Sequence, residues 1–307
     1  MATACGPCRF GQYRLLHRII LNRKGYKDLI ILSPSSINSY QGLPEPLRKK
    51  LWDCFVIGDL LFKAGCKLRP YEQEKGSVDR VLEKAVLRLE EAFEKGKSPE
   101  DIFAQAIKEL KAIKIAPKRK PLVGVVGEIY VRSNPFTNDH LIRKIEEFGG
   151  EAWLAPLSEW FFYTTYLQRF RSQQRFKNFW AKGASIVRNR FLKSVEEKYF
   201  EIAREILADR KEPEIEEIIS AGARYLPVNF EGEAILTIGR AIKFIEQGAQ
   251  LVVNCAPFGC MPGTASSAIF QELSSIYQVP LISIFYDGKP GLNERLRVVI
   301  ENLSEKL

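Results

Sequence analysis

The chain has only two histidines and two methionines among its 307 residues, and glycine and proline are not enriched. No apolar run approaches the roughly 18 to 20 residues that a bilayer span requires. The first residues carry no apolar core of the kind a secretory signal needs. The phosphate loop G-x-x-x-x-G-K-[ST], the dinucleotide glycine fingerprint and H-E-x-x-H are all missing. These absences point to a cytoplasmic chain, away from the membrane, that does not bind and hydrolyse ATP by itself. No internal repeat or low-complexity segment occurs.

What is present is an ordinary globular composition, 46% hydrophobic and 27% charged, enough for two compact domains. Net charge is +9. Part of it is local. Arg169, Arg171, Arg175, Lys177, Lys182, Arg188, Arg190 and Lys193 are interleaved with Phe170, Phe176, Phe179, Trp180 and Phe191. An amphipathic helical region with a solvated basic face accounts for this pattern. A docking face for a partner or an anionic cofactor is the alternative, with a nucleic-acid surface behind it.

The second half reads as strands alternating with helices, the pattern of a parallel sheet covered on both faces. Strands are expected in PLVGVVG (121–127), EAWLAP (151–156), LVVN (251–254) and VPLISIFYD (279–287). Helices are expected at 137–150, 231–250, 263–278 and 293–307, and residues 157–222 form a long helical insertion. The first half offers a helix over 9–25, a strand in LIILSP (29–34) and helices to about 114. APKRKP (116–121) reads as a linker. Only four residues precede Cys5, too few for a leading strand. The expectation is therefore α/β, with an incomplete domain at 1–115 and a flavodoxin-like domain at 120–307.

Ligands of an open parallel sheet bind where loops leave the carboxyl ends of strands. That rule selects GEIYVRSNPF, CAPFGCMPG and DGKPG, and with them Glu128, Arg132, Asn134, Cys255, Cys260 and Asp287. In NCAPFGCMPGTAS, Gly259 and Gly263 allow tight turns, and Thr264 or Ser266 is placed to cap the following helix. Arg132 suits an anionic group, because its planar fork matches carboxylate or phosphate.

Six cysteines occur: Cys5, Cys8, Cys54, Cys66, Cys255 and Cys260. Cys54 and Cys66 read as packing residues. Cys8 and Cys260 each stand just before a helix start, where amides favour sulfur carrying negative charge. Cys5-Gly6-Pro7-Cys8 matches the thioredoxin dithiol, but that motif lies between a strand and a helix inside a domain. Zinc would find one knuckle in Cys5 and Cys8, while Cys255 and Cys260 are spaced too widely for a second. An iron–sulfur cluster would need ligands from distant loops. Buried or free thiols remain open as the fourth reading.

Several stretches together carry a resemblance: GPCRFGQY (6–13), RPYE (69–72), VGEIYVRSNPFTN (126–138), APLSEW (155–160), GEA (232–234) and PFGCMPG (257–263). They resemble the activase-related proteins (CoA protein activase, or CoA-substrate-specific enzyme activase-related) of the 2-hydroxyacyl-CoA dehydratase and benzoyl-CoA reductase superfamily. The resemblance spans nearly the whole chain. It implies two flavodoxin-like domains around a four-iron or double-cubane iron–sulfur cluster, an anaerobic setting and low-potential electrons from an ATP-dependent activase. On this sequence it assigns Cys8 and Cys260 as ligands, with Cys5 and Cys255 as further candidates. Glu128, Arg132, Asn134 and Asp287 would support the cluster. The ATPase part and the upstream α/β segment of the larger relatives are missing. The implied partners are an activase, a related subunit supplying that segment, or a second copy. A cluster-free scaffold or regulatory subunit is the non-catalytic alternative, and a basic RNA-binding protein the third.

Overall fold

The computed structural model describes residues 9–33, 42–174 and 179–307. Its elements run α1 (Tyr13–Arg23), α2 (Glu45–Leu68), α3 (Ser77–Glu94), α4 (Glu100–Lys111), β1 (Leu122–Gly127), α5 (Ile129–Ser133), α6 (Leu141–Glu147) and β2 (Glu151–Leu154). There follow α7 (Ser158–Gln174), α8 (Phe179–Leu207), α9 (Ile215–Gly222), α10 (Ala234–Glu246), β3 (Leu251–Pro257), α11 (Met261–Tyr277), β4 (Leu281–Tyr286) and α12 (Arg295–Ser304).

The four strands form one parallel sheet in the order β2-β1-β3-β4. Apolar β-branched runs such as LVVN are suited to a strand buried on both faces, and every residue of β1 is buried. One face packs against α6 and α12 through Ile145, Leu141, Leu296 and Ile300. The other packs against α10 and α11 through Phe244, Ile242 and Phe270. Sequence order reverses direction between β1 and β3, so the switch point lies at their carboxyl ends.

A second, purely helical core stands beside the sheet. Trp52, Leu61, Phe103 and Leu110 share it with Phe162, Tyr199, Leu207 and Ile219. The helices before the predicted linker and those of the predicted insertion are therefore packed together. RPYE is the clasp between this layer and the sheet. Arg69 donates twice to Glu146 on α6, at 2.7 and 2.8 Å. Tyr71 donates to Glu151 on β2 at 2.7 Å. Glu72 accepts from the amides of Gly76 and Val78 and so caps α3.

Two expectations are corrected. Residues 29–33 of the predicted strand LIILSP have no strand pairing. Leu29, Ile30 and Leu32 stand exposed. The described residues thus hold one parallel sheet, and the first half contributes to it no strand. The helix expected from residue 137 begins only at Leu141, because Asp139 and His140 adopt left-handed φ angles of 49° and 55°. Asn293 holds that turn, donating to the carbonyls of Asn138 and Asp139 at 2.8 Å each.

Candidate functional site

The switch point is built from close backbone packing. Gly127 ends β1 at φ 113°, and a Cβ there would run into the Cys255 carbonyl and Asn254 Oδ1. Only glycine lets the chain turn at this place. The Glu128 amide then donates to the Cys255 carbonyl at 2.8 Å, tying the exit of β1 to the end of β3. The Glu128 carboxylate accepts from the Val131 amide at 2.7 Å and caps α5.

Glu233, just ahead of α10, reaches the same corner and accepts from the Ile129 amide at 3.1 Å. Burial, and then the neighbouring Glu128, push its carboxyl up to about 8. Arg132 lies between the elements and is 2% exposed. It donates to the Gly127 carbonyl at 3.1 Å and the Pro156 carbonyl at 3.0 Å. These bonds make it a brace across the exits of β1 and β2, with its charge facing Glu233. Two carboxylates beside one guanidinium can keep a proton at neutral pH.

After β3, the loop turns at Gly259, φ 73°, and presents Cys260 as the N-cap of the 17-residue α11. The sulfur accepts from the Gly263 amide at 3.4 Å. Capping was expected from Thr264 or Ser266. Both hydroxyls instead donate back to carbonyls, of Cys260 and Pro262 respectively, because the helix begins earlier, at Met261. Gly263 is needed for proximity, since a Cβ would stand 2.7 Å from that of Ala256.

The two cysteines of this loop differ completely. Cys260 is partly exposed at the edge. Cys255 is fully buried within β3, and its thiol donates to the Val126 carbonyl at 3.3 Å. Burial drives the Cys255 thiol far up, away from the thiolate. Cys66, also buried, is pushed up to about 12. Cys5 and Cys8 lie outside the described residues. Among the described residues, no three His, Cys, Asp or Glu side chains converge to hold a metal ion. The described donor set therefore offers one suitably placed thiol, Cys260, and is not by itself sufficient for a cluster.

The other expected residues are placed as follows. Asn134 accepts from the amides of Phe136 and Thr137 and organises its own turn. Asp287 is exposed and accepts from the Lys289 amide, which with the Lys289 ammonium holds its carboxyl below the usual range. Neither reaches toward Glu128 through a described bond. Sequence reading missed Glu233 as a titrating group, although the triplet containing it was noticed. It also missed three exposed aromatics near the strand exits: Tyr130 on α5 at 62%, and Phe136 and Phe258 on loops at 91% and 79% exposure. Large apolar side chains in the segments that follow strands were the available signal.

Three side chains of the basic stretch are paired within the fold. Arg169 pairs with Glu216, Arg171 with Glu231 and Lys193 with Glu214. Arg175 and Lys177 lie outside the described residues. No helix among the described residues is long and apolar enough to cross a membrane.

The class defined by these features is an α/β protein with a four-stranded parallel sheet covered on both faces and a candidate site at its switch point. No protein-family model, curated protein or solved structure matches the chain.

Proposed function

We propose that this chain is the iron–sulfur component of a system like the 2-hydroxyacyl-CoA dehydratases and their activases, handling low-potential electrons. The observation that carries the reading is the assembly of dispersed motifs. GEIYVR, APLSEW, GEA and PFGCMPG are spread over more than a hundred residues of sequence. The Glu128 amide bonds Cys255, Arg132 bonds Pro156, and the Ile129 amide bonds Glu233. A Cβ on Gly232 would touch Pro262, bringing GEA against PFGCMPG as well. Segments that serve only their own elements have no reason to meet at one sheet edge.

In this reading Cys260 is a ligand, with Cys8 and Cys5 completing the set from the N-terminal segment. Cys255 is withdrawn from that set, since its sulfur is committed to the sheet interior. When bound, such a cluster supplies one-electron chemistry at low potential. The chain's own residues do the rest. Gly127 and Arg132 fix the edge, and Glu233 keeps a proton at neutral pH. Tyr130, Phe136 and Phe258 provide apolar cover. An ATP-dependent activase delivers the electrons. A related subunit, or a second copy, supplies strand neighbours for residues 29–33 and completes a second flavodoxin-like unit. The setting is cytoplasmic and anaerobic.

Anaerobic purification followed by iron and sulfide analysis and an EPR spectrum tests this. Iron and sulfide in equal amounts, lost in Cys8→Ala and Cys260→Ala but retained in Cys255→Ala, are expected. An iron-free chain that still binds an activase would replace this reading with a cluster-free scaffold. Steeply salt-dependent RNA binding by an iron-free chain would replace it with a nucleic-acid role.

A further inference from the structure

Helix α1 has a face that nothing described covers. Helical spacing puts Leu15, Leu16, Ile19 and Ile20 on one side of YRLLHRIILNR, and all four are exposed. None of its 11 residues is buried. A helix of that length is marginal alone in water and takes its stability from packing, so this face calls for a partner. Its charge is of one sign. Arg9, Arg14, Arg18, Arg23, Lys24 and Lys27 occur with no acidic residue between positions 9 and 27. Arg18 donates to the Lys27 carbonyl at 3.3 Å, and Arg14 and Arg23 make no described ion pair.

The opposite endowment lies on α3. Its inner face buries Val78, Ala85, Leu89 and Ala92. Its outer face carries Glu83, Val86, Leu87, Glu90 and Glu94, all exposed, with Leu87 at 66%. The helix's cations are already engaged. Arg80 pairs with Glu74, while Lys84 and Arg88 share Glu109. Lys95, just past the helix end, pairs with Glu91. Asp79 is held by Arg69 and Arg143. Lys75 and Lys97 lie outside the helix at either end. Glu83, Glu90 and Glu94 make no described ion pair or hydrogen bond, so an apolar pair stands among three unmatched carboxylates.

We propose that α1 of one copy docks on α3 of a second copy, with Leu15, Leu16, Ile19 and Ile20 against Val86 and Leu87, and the α1 arginines toward Glu83, Glu90 and Glu94. Within one chain α1 and α3 make no extended contact, so both faces are open. Pairing α1 with α1 would set like charges against each other. The exposed Ile186 and Val187 of α8 lie in the basic stretch and repel α1 for the same reason. An anionic lipid surface would suit α1 and leave the acidic face of α3 unanswered. The second copy answers both. Because the two faces differ, exchanging them both ways closes a dimer. This contact stands independently of the switch-point reading.

The test is sedimentation equilibrium of the full chain over a concentration series, with two double variants: Arg18→Glu with Arg23→Glu, and Glu90→Arg with Glu94→Arg. A monomer–dimer equilibrium is expected in the parent. Each double variant should weaken it about tenfold or more, since weak exposed pairs become repulsions in both contacts of the dimer. An equimolar mixture of the two variants should restore it, because each mutated helix then faces an opposite charge. In the parent, raising sodium chloride from about 50 mM to about 500 mM should weaken association through screening. This salt series needs no variant and decides the matter if one fails to fold. A monomer at every concentration, association indifferent to salt or to either double variant, or a mixture that stays monomeric would overturn the proposal. A monomeric chain that binds phosphatidylglycerol vesicles would overturn it in favour of a lipid surface.

Discussion

The switch-point edge and the helical layer solve the burial of charge in opposite ways. At the edge, Arg132 directs its donors to two backbone carbonyls, and Glu233 lacks a cationic hydrogen-bond partner. In the helical layer, Arg240 and Lys63 are locked onto carboxylates. The first arrangement leaves a carboxyl that titrates near neutrality at the same sheet edge as a partly exposed sulfur. The second makes charges part of the packing. The edge is therefore expected to tolerate loss of its reactive groups, while the helical layer should not tolerate loss of its cation.

Replacing Arg240 with Met gives the largest expected effect, about 3–5 kcal/mol of stability, because Glu159 is left as an uncompensated buried charge and Glu212 keeps only Lys63. Denaturant unfolding measures it, and a cost below about 1 kcal/mol would erase the contrast between the two regions. Gly127→Ala comes next, at about 2–4 kcal/mol, since the new Cβ must displace the Cys255 carbonyl from a backbone held at positive φ. It is the one change at the edge expected to match the helical layer in severity, because it acts on backbone and not on charge.

Glu233 sharpens the comparison through pH. Its carboxyl is raised from 4.5 to about 8, so the folded state retains a proton that the unfolded chain releases. This contribution to stability is full below about pH 4.5 and is lost as pH rises through about 8. Glu233→Gln, which keeps an acceptor for the Ile129 amide, should raise the melting temperature at pH 8.5 and change it little at pH 4.5. An equal shift at both values would show that the carboxyl is not held neutral. The smallest effect on stability is expected from Cys260→Ala. Losing the sulfur cap should cost within about 1 kcal/mol, and thermal unfolding of the iron-free chain checks it.

The sheet was legible because its strands are continuous apolar runs bounded by turn residues, as in PLVGVVG and LVVN. The same signal misled at LIILSP, because an apolar run becomes a strand only where another strand is there to pair with it. The edge was legible to first order, since the rule about strand exits depends on topology alone and selected Glu128, Arg132 and Cys260. It could not separate Cys260 from Cys255. That difference depends on the alternation of side chains along β3 and on where the strand ends, at Pro257. The Glu159–Arg240–Glu212 network was invisible, because its members come from α7, α10 and the connection before α9, and no spacing rule links them. RPYE stood out as a motif, but its role as a clasp appears only once Glu146 and Glu151 are seen facing it.

The most direct measurement of the central claim is the iron and acid-labile sulfide content of the anaerobically prepared full chain, compared with its Cys260→Ser and Cys255→Ser variants. The account predicts a cluster signal in the parent and in Cys255→Ser, and its loss in Cys260→Ser. A cluster that survives Cys260→Ser, or that disappears equally in both variants without loss of fold, would contradict it.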